Sequence, residues 1–175
     1  MSDGQIIVTD RLRLTAIRAD AIESLLNGDA VTAGRLQGFE FPIEFIETIE
    51  DAFLKGQMER LLLRPSGQGW CVRVITREED DKVIGHCGFH GHPEDVGRAE
   101  IGYLIFENVR GNGYATEATL GLVNWAREQG VETVFAAVSP KNHSSIRVAE
   151  RAGFHRSGVQ GTELEGEEFV FERNT

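Results

Sequence analysis

The segment Arg110-Gly111-Asn112-Gly113-Tyr114-Ala115-Thr116-Glu117-Ala118 carries the most specific chemical signal in the chain. It joins a stretch that reads as a strand to one that reads as a helix. Several backbone N–H groups at such a helix start have no intrahelical partner. Two glycines let the backbone turn tightly and approach a ligand with no Cβ in the way. With the positive end of the helix dipole added, the loop is an anion site suited to a pyrophosphate. The competing reading is an ordinary glycine-containing turn. The loop lacks the Gly-Lys-Ser/Thr of a nucleotide phosphate loop, and it lacks the three spaced glycines of a dinucleotide fingerprint.

Glu100 stands out next. It interrupts the apolar run Ala99-Glu100-Ile101-Gly102-Tyr103-Leu104-Ile105-Phe106, where a charge is costly without a purpose or a partner. It handles a proton as a general base, pairs with a neighbouring arginine such as Arg98 or Arg73, or orients the substrate. The run His86-Cys87-Gly88-Phe89-His90-Gly91-His92 suggests a metal cluster. Zinc wants three or four converging ligands. On a strand, however, His86 and His90 share one face and Cys87 points to the other. No metal is therefore expected. The histidines are expected to line a substrate cleft or face solvent, with His90 or His92 within reach of an acceptor. Cys71 and Cys87 would face each other if their hairpin is centred near Glu79, and a one-residue slip would separate them. Both read as small buried apolar residues rather than a disulfide.

The elements that must position these residues alternate between periods. Ile6 to Ile17 reads as a half-buried strand. Asp20 to Gly28 reads as a short helix, and Pro42 to Leu63 as a longer one ended by Pro65, Gly67 and Gly69. Trp70–Thr76, Lys82–His90 and Ala99–Phe106 form an antiparallel meander, with polar loops at Arg77–Asp81 and Gly91–Arg98. A break at Glu107–Asn112 leads into a helix over Tyr114–Gln129, stopped by Gly130. A strand over Val131–Val138, a helix over Asn142–Arg151 and a hairpin of Phe154–Val159 with Glu168–Phe171 complete the chain. Trp70 and Trp125 read as core or sheet-edge aromatics, and the acidic stretches Glu78–Asp81 and Glu163–Glu172 as solvated loops. The 175 residues fit a single domain, 1–175, of α/β (α+β) class.

The formal net charge is −10, from 28 acidic and 18 basic residues. That balance argues against nucleic acid, whose phosphates need Lys and Arg. It favours cationic partners such as amines. No run of about 18 apolar residues exists to span a membrane. The start, Met1 to Gln5, lacks a secretory signal, and with two cysteines the expected compartment is the reducing cytoplasm.

Arg110-x-x-Gly113-x-Ala115 resembles the coenzyme-A pyrophosphate loop of the GNAT superfamily of N-acetyltransferases. The run Asn142 to Phe154 resembles that superfamily's second motif, in the form of the ribosomal-protein N-acetyltransferase (Rim-type) branch. Thr9-Asp10-Arg11-Leu12-Arg13-Leu14 and Ala99-Glu100-Ile101-Gly102-Tyr103 are similar to that branch as well. The resemblance covers most of the chain with its motifs in order.

It implies a mixed, mostly antiparallel sheet of six to seven strands, flanked by helices and splayed after Ala99–Phe106. Acetyl-CoA would lie in that splay as co-substrate. Main chain near Leu104, Ile105 and Phe106 would hold the pantetheine arm. Arg110, Gly111, Asn112, Gly113, Tyr114 and Ala115 would hold the pyrophosphate, with help from Thr116, and the Asn142 amide would bind the coenzyme arm. The reaction is then direct acetyl transfer to a primary amine, either a protein or peptide N-terminus or a small amine, in a ternary complex that needs no covalent intermediate.

Glu100 takes the place of the general base in this scheme, acting directly or through water. Ser145 matches the serine that protonates the thiolate in the Rim-type branch. Its other reading is a first-turn hydroxyl with a structural task. The tyrosine that many members place before the helix glutamate is replaced here by Ala149. A different class, a non-catalytic acyl-CoA-binding or sensing domain, would keep the coenzyme loop and show no turnover. The C-terminal hairpin offers an edge on which a second copy could form a homodimer.

Overall fold

The computed structural model describes residues 6–95, 97–161 and 166–175. The segment Met1–Gln5, read for a secretory signal, and the part of the acidic stretch at 163–165 lie outside the described residues.

The strands are β1 (Ile6–Val8), β2 (Leu12–Ala16), β3 (Val72–Arg77), β4 (Lys82–Phe89), β5 (Ala99–Ile105), β6 (Thr133–Val138), β7 (His155–Gln160) and β8 (Glu168–Asn174). They form one eight-stranded sheet in the order β1-β2-β3-β4-β5-β6-β8-β7. The count exceeds the expected six to seven because Ile6 to Ile17 is not one strand. It folds back as a hairpin in which Ile7 faces Leu14, and the Thr9 hydroxyl closes the turn on Leu12.

Neighbouring strands pair antiparallel everywhere except at β5–β6, which run parallel. A parallel neighbour needs a long crossover. Helix α5 (Tyr114–Glu128) supplies it and packs across β5.

Alternation in β5 sends its side chains to two different cores. Ala99, Ile101, Tyr103 and Ile105 meet α5 and α6 (His143–Arg151), where Leu122, Trp125, Ala149 and Phe154 are buried. Leu104 and Phe106 join the opposite core, under α1 (Ala19–Leu26), α2 (Ala30–Gln37), α3 (Ile43–Thr48) and α4 (Asp51–Leu63).

That second layer departs from the sequence reading at two places. The expected helix over Pro42–Leu63 is broken at Ile49, which is extended (φ −94°, ψ 128°) and buries its side chain in the core. Helix α2 was not expected, because a Gly34-containing segment has weak helical patterning. Its start is nevertheless fixed by Asp29, whose carboxylate accepts the Thr32 N–H at 2.9 Å.

The two cysteines do not face each other. Cys87 lies opposite Arg73 in the β3–β4 ladder, and Cys71 belongs to the other core. Both are free, and burial pushes their thiols up to about 12 and about 11 respectively. No helix among the described residues is long and apolar enough to cross a membrane.

Candidate active site

Strands β5 and β6 pair only at Ala99–Val134 and Glu100–Phe135, and then part. A cavity of about 420 Å³ opens where they separate. Antiparallel pairing fixes which β5 groups face it. The His90 N–H donates to the Glu100 carbonyl and the Phe106 N–H to the Ile84 carbonyl. Even-numbered residues of β5 therefore spend their backbone groups on β4, and those of Ile101, Tyr103 and Ile105 are directed into the splay.

Leu104, Ile105, Arg110, Gly111 and Gly113 line the cavity, as do Tyr114, Ala115, Thr116, Asn142 and Ser145. Two expected coenzyme residues lie elsewhere. Phe106 is buried in the α1–α4 core with its N–H already bonded. Asn112 stays outside the lining and braces its own loop, its Nδ2 donating to the Val109 carbonyl at 3.0 Å.

The loop that closes one end of the cavity is shaped by two left-handed residues, Gly111 (φ 85°) and Gly113 (φ 82°). Gly113 is the N-cap of α5 and offers no capping side chain, so no side-chain oxygen competes for the helix's leading N–H groups. The Arg110 Nε donates to the Ile105 carbonyl at 2.8 Å and ties the loop to the end of β5.

From outside, the β1–β2 turn clamps the same loop. Glu117 accepts hydrogen bonds from the Thr9 hydroxyl (2.6 Å), the Arg11 N–H (2.7 Å) and the Arg11 Nε (2.7 Å). Arg11 also donates to the Asn112 carbonyl at 3.1 Å and lies over the Tyr114 ring. Burial raises the Glu117 carboxyl, and these hydrogen bonds and the Arg11 charge outweigh it, so its pKa falls below the ordinary value.

The other wall is α6. Asn142 is its N-cap, and the Oδ1 accepts the Ser145 N–H at 3.1 Å. The Nδ2 of the same amide remains available as a donor at the cavity rim. Ser144, Arg147, Val148 and Arg151 also line the cavity. They were not singled out in the sequence, although their spacing of three, four and seven is one helical stripe. Two arginines four apart in an acidic chain were the signal that could have found them. Tyr103 was missed too. Its hydroxyl donates to the Ser145 carbonyl at 3.2 Å and ties β5 to α6 across the splay. Burial raises its pKa, with the Ser145 contact opposing.

Glu100 does not line this cavity. It lies on the α1–α4 face, where its Oε1 is 3.2 Å from His90 Nδ1. Neither arginine considered as its partner takes that role. Arg98 pairs with Glu172 and covers the Phe135 ring. Arg73 donates to the carbonyls of Leu14 and Gly69.

The remaining histidines separate, and no group of ligands suited to a metal ion exists among the described residues. His92 packs on Trp70. His86 shares the α1–α4 face with His90 but lies under Phe45. Burial holds its pKa down to about 4, with a Thr48 backbone contact opposing. Trp70 stacks edge-on with Trp125 and Phe89, as core aromatics.

Residues 11–155 match the sequence profile described as "Acetyltransferase (GNAT) domain". The chain is 33% identical over 159 residues to the uncharacterized N-acetyltransferase YoaA of Bacillus subtilis (strain 168), covering 88% of this chain and 85% of that one. Across the curated relatives the matched share runs from 48% to 89% of their own length. Among solved structures, the microcin C7 self-immunity acetyltransferase MccE, in complex with acetyl-CoA and AMP, superposes with TM-score 0.66 at 19% identity over 99% of this chain and 98% of that one. The ribosomal-protein-S5-alanine acetyltransferase of Vibrio fischeri superposes with TM-score 0.65 at 17% identity, over 97% and 96%. By fold and by profile, the chain belongs to the GNAT acetyltransferase family.

Proposed function

We propose that the chain moves an acetyl group from acetyl-CoA to a primary amine by direct transfer, with both substrates bound together. One observation carries the coenzyme half of this reading. In a chain of net charge −10, the cavity lining contains Arg110, Arg147 and Arg151 and no carboxylate. Such a patch selects a polyanion, and guanidinium groups suit phosphate oxygens.

The leading amides of α5, with Gly111 to Ala115, would receive the pyrophosphate. The pantetheine arm would run along the odd-numbered backbone groups of β5, toward the point where β5 and β6 part. Those same N–H groups can stabilise the oxyanion that develops on the thioester carbonyl.

The acceptor would enter from the α1–α4 face, where Glu100 would promote removal of its proton, directly or through a neighbouring group. Ser145, in the first turn of α6 and on the cavity wall, would return a proton to the departing thiolate. The acceptor class that fits the motif likeness is a peptide α-amino group or a small primary amine. The two buried, free thiols suit a reducing compartment.

Calorimetry with acetyl-CoA tests the reading. Wild-type protein is expected to bind in the micromolar range. The pair Arg147→Glu with Arg151→Glu is expected to bind roughly thirtyfold more weakly, as about 2 kcal/mol of phosphate attraction turns to repulsion. Wild-type protein that binds no acyl-CoA would overturn the assignment.

A further inference from the structure

We propose that the group which takes the proton from the acceptor amine is the His90 Nε2, and that Glu100 acts through it by fixing its tautomer. The inference rests on the acetyl-transfer reading above.

Glu100 Oε1 lies 3.2 Å from His90 Nδ1, and the His90 N–H donates to the Glu100 carbonyl at 3.0 Å, so the ladder and the side chains hold the same pair. A carboxylate accepts only. Against an ionised Glu100 the ring presents Nδ1–H, and Nε2 then carries the lone pair.

Gly102 shows where that lone pair sits. A Cβ at Gly102 would lie 2.5 Å from His90 Nε2, so the ring tip rests directly on the β5 backbone. Gly102 is two residues past the last β5–β6 pair, at Glu100 and Phe135. The Nε2 thus lies against Gly102 on the α1–α4 face of β5, the strand that borders the splay, with the Glu100 carboxylate at the other ring nitrogen.

The surroundings agree. The His90 side chain is 40% exposed and that of Glu100 29%, so the imidazole has the more open side. Phe53 of α4 meets the ring edge-on at 5.4 Å and steadies it. His86, the other imidazole on this face, cannot compete, because its Nε2 is buried without a hydrogen-bond partner.

The step balances. The ammonium gives one proton to His90 Nε2, and the neutral amine attacks the thioester carbonyl to form the C–N bond. The C–S bond then breaks with its electron pair leaving on sulfur. The nitrogen loses its second proton, the thiolate gains one, and the proton on His90 returns to solvent. The products are the amide, the free thiol and one released proton.

Two measurements test the proposal. The first is the ¹⁵N spectrum of the His90 ring, which needs no acceptor. The Nδ1–H tautomer is expected in the wild type and its loss of dominance in Glu100→Gln. A wild-type ring protonated at Nε2 would overturn the proposal.

The second is thiol release from acetyl-CoA, with short peptides bearing a free α-amino group and with simple alkylamines as probes. His90→Ala is expected to lower kcat about 100-fold, to leave acetyl-CoA affinity unchanged and to regain rate with added imidazole. Glu100→Gln is expected to lower kcat about tenfold, and the double variant to be no slower than His90→Ala alone. If His90→Ala keeps kcat within about threefold while Glu100→Gln abolishes it, Glu100 is itself the base and the proposal falls. If the wild type binds acetyl-CoA and turns over none of the amines, the acetyl-transfer reading fails first and takes this role with it.

Discussion

On the α5–α6 face of the sheet, the groups that would meet a ligand are mostly backbone amides and a stripe on one helix, and their positions come from short stretches of chain. On the α1–α4 face they are side chains, gathered from α4, β4 and β5, and each depends on a neighbour far away in sequence. The first face is cationic at its cavity, through Arg110, Arg147 and Arg151. The second is aromatic and weakly charged, with Phe53, His90 and Glu100. A constant coenzyme can be held by backbone geometry that tolerates change in most side chains. An acceptor can be changed by exchanging side chains on the other face, with the coenzyme loop left alone.

The sharpest way to break one face without the other is Gln57. It is fully buried in α4 and spans two strands, its Nε2 donating to the Phe89 carbonyl at 3.3 Å and its Oε1 accepting the Val72 N–H at 3.1 Å. Gln57→Leu would fill the same space and leave both backbone groups buried without partners, at roughly 2 kcal/mol each. The expected loss is about 4 kcal/mol in denaturant unfolding, with acetyl-CoA affinity of the folded fraction kept within about twofold. A parallel loss of coenzyme affinity would mean that the two faces are not separable.

The pH response should come from the same face. His86 has its pKa lowered from 6.5 to about 4 by burial. Between those values the unfolded chain binds a proton that the folded chain does not, so stability rises with pH across that window. On acidification from pH 6.5 to pH 4 this residue should therefore cost about 3 kcal/mol, and the loss should level off below pH 4. The wild-type-minus-His86→Leu difference in urea midpoint should therefore fall as the pH drops through that window. An unchanged difference would place the acid sensitivity in the carboxylates.

The same division explains what could be read in advance. The loop from Arg110 to Thr116 and the helix start at Asn142 were legible because glycine placement, helix periodicity and capping are local. Eight of the residues named for the site from those two motifs line the cavity. Phe106 was misplaced because alternation alone does not say which edge of a strand is already paired. Sequence alone offers Arg98 and Arg73 as partners of Glu100, whereas its real partner, His90, is set by the β4–β5 register. The break at Ile49 had no glycine or proline to mark it. It follows from what Ile49 can bury, and that is a property of the finished core.

Asn142 allows the smallest effect to be split in two. Its Oδ1 caps α6 by accepting the Ser145 N–H at 3.1 Å, and its amide donor lies at the cavity rim. Asn142→Ala should remove both roles, costing about 1 kcal/mol of stability and lowering acetyl-CoA affinity severalfold. Asn142→Asp keeps the capping oxygen and replaces the donor with a negative charge. Thermal unfolding of the Asp variant should match the wild type within about 0.5 kcal/mol, because Asp and Asn cap equally well. Its acetyl-CoA affinity should fall at least as far as that of the Ala variant, since a carboxylate now faces the anionic ligand. If the Asp variant binds as the wild type does, Asn142 is only a cap, and the coenzyme face is held by its arginines and backbone amides alone.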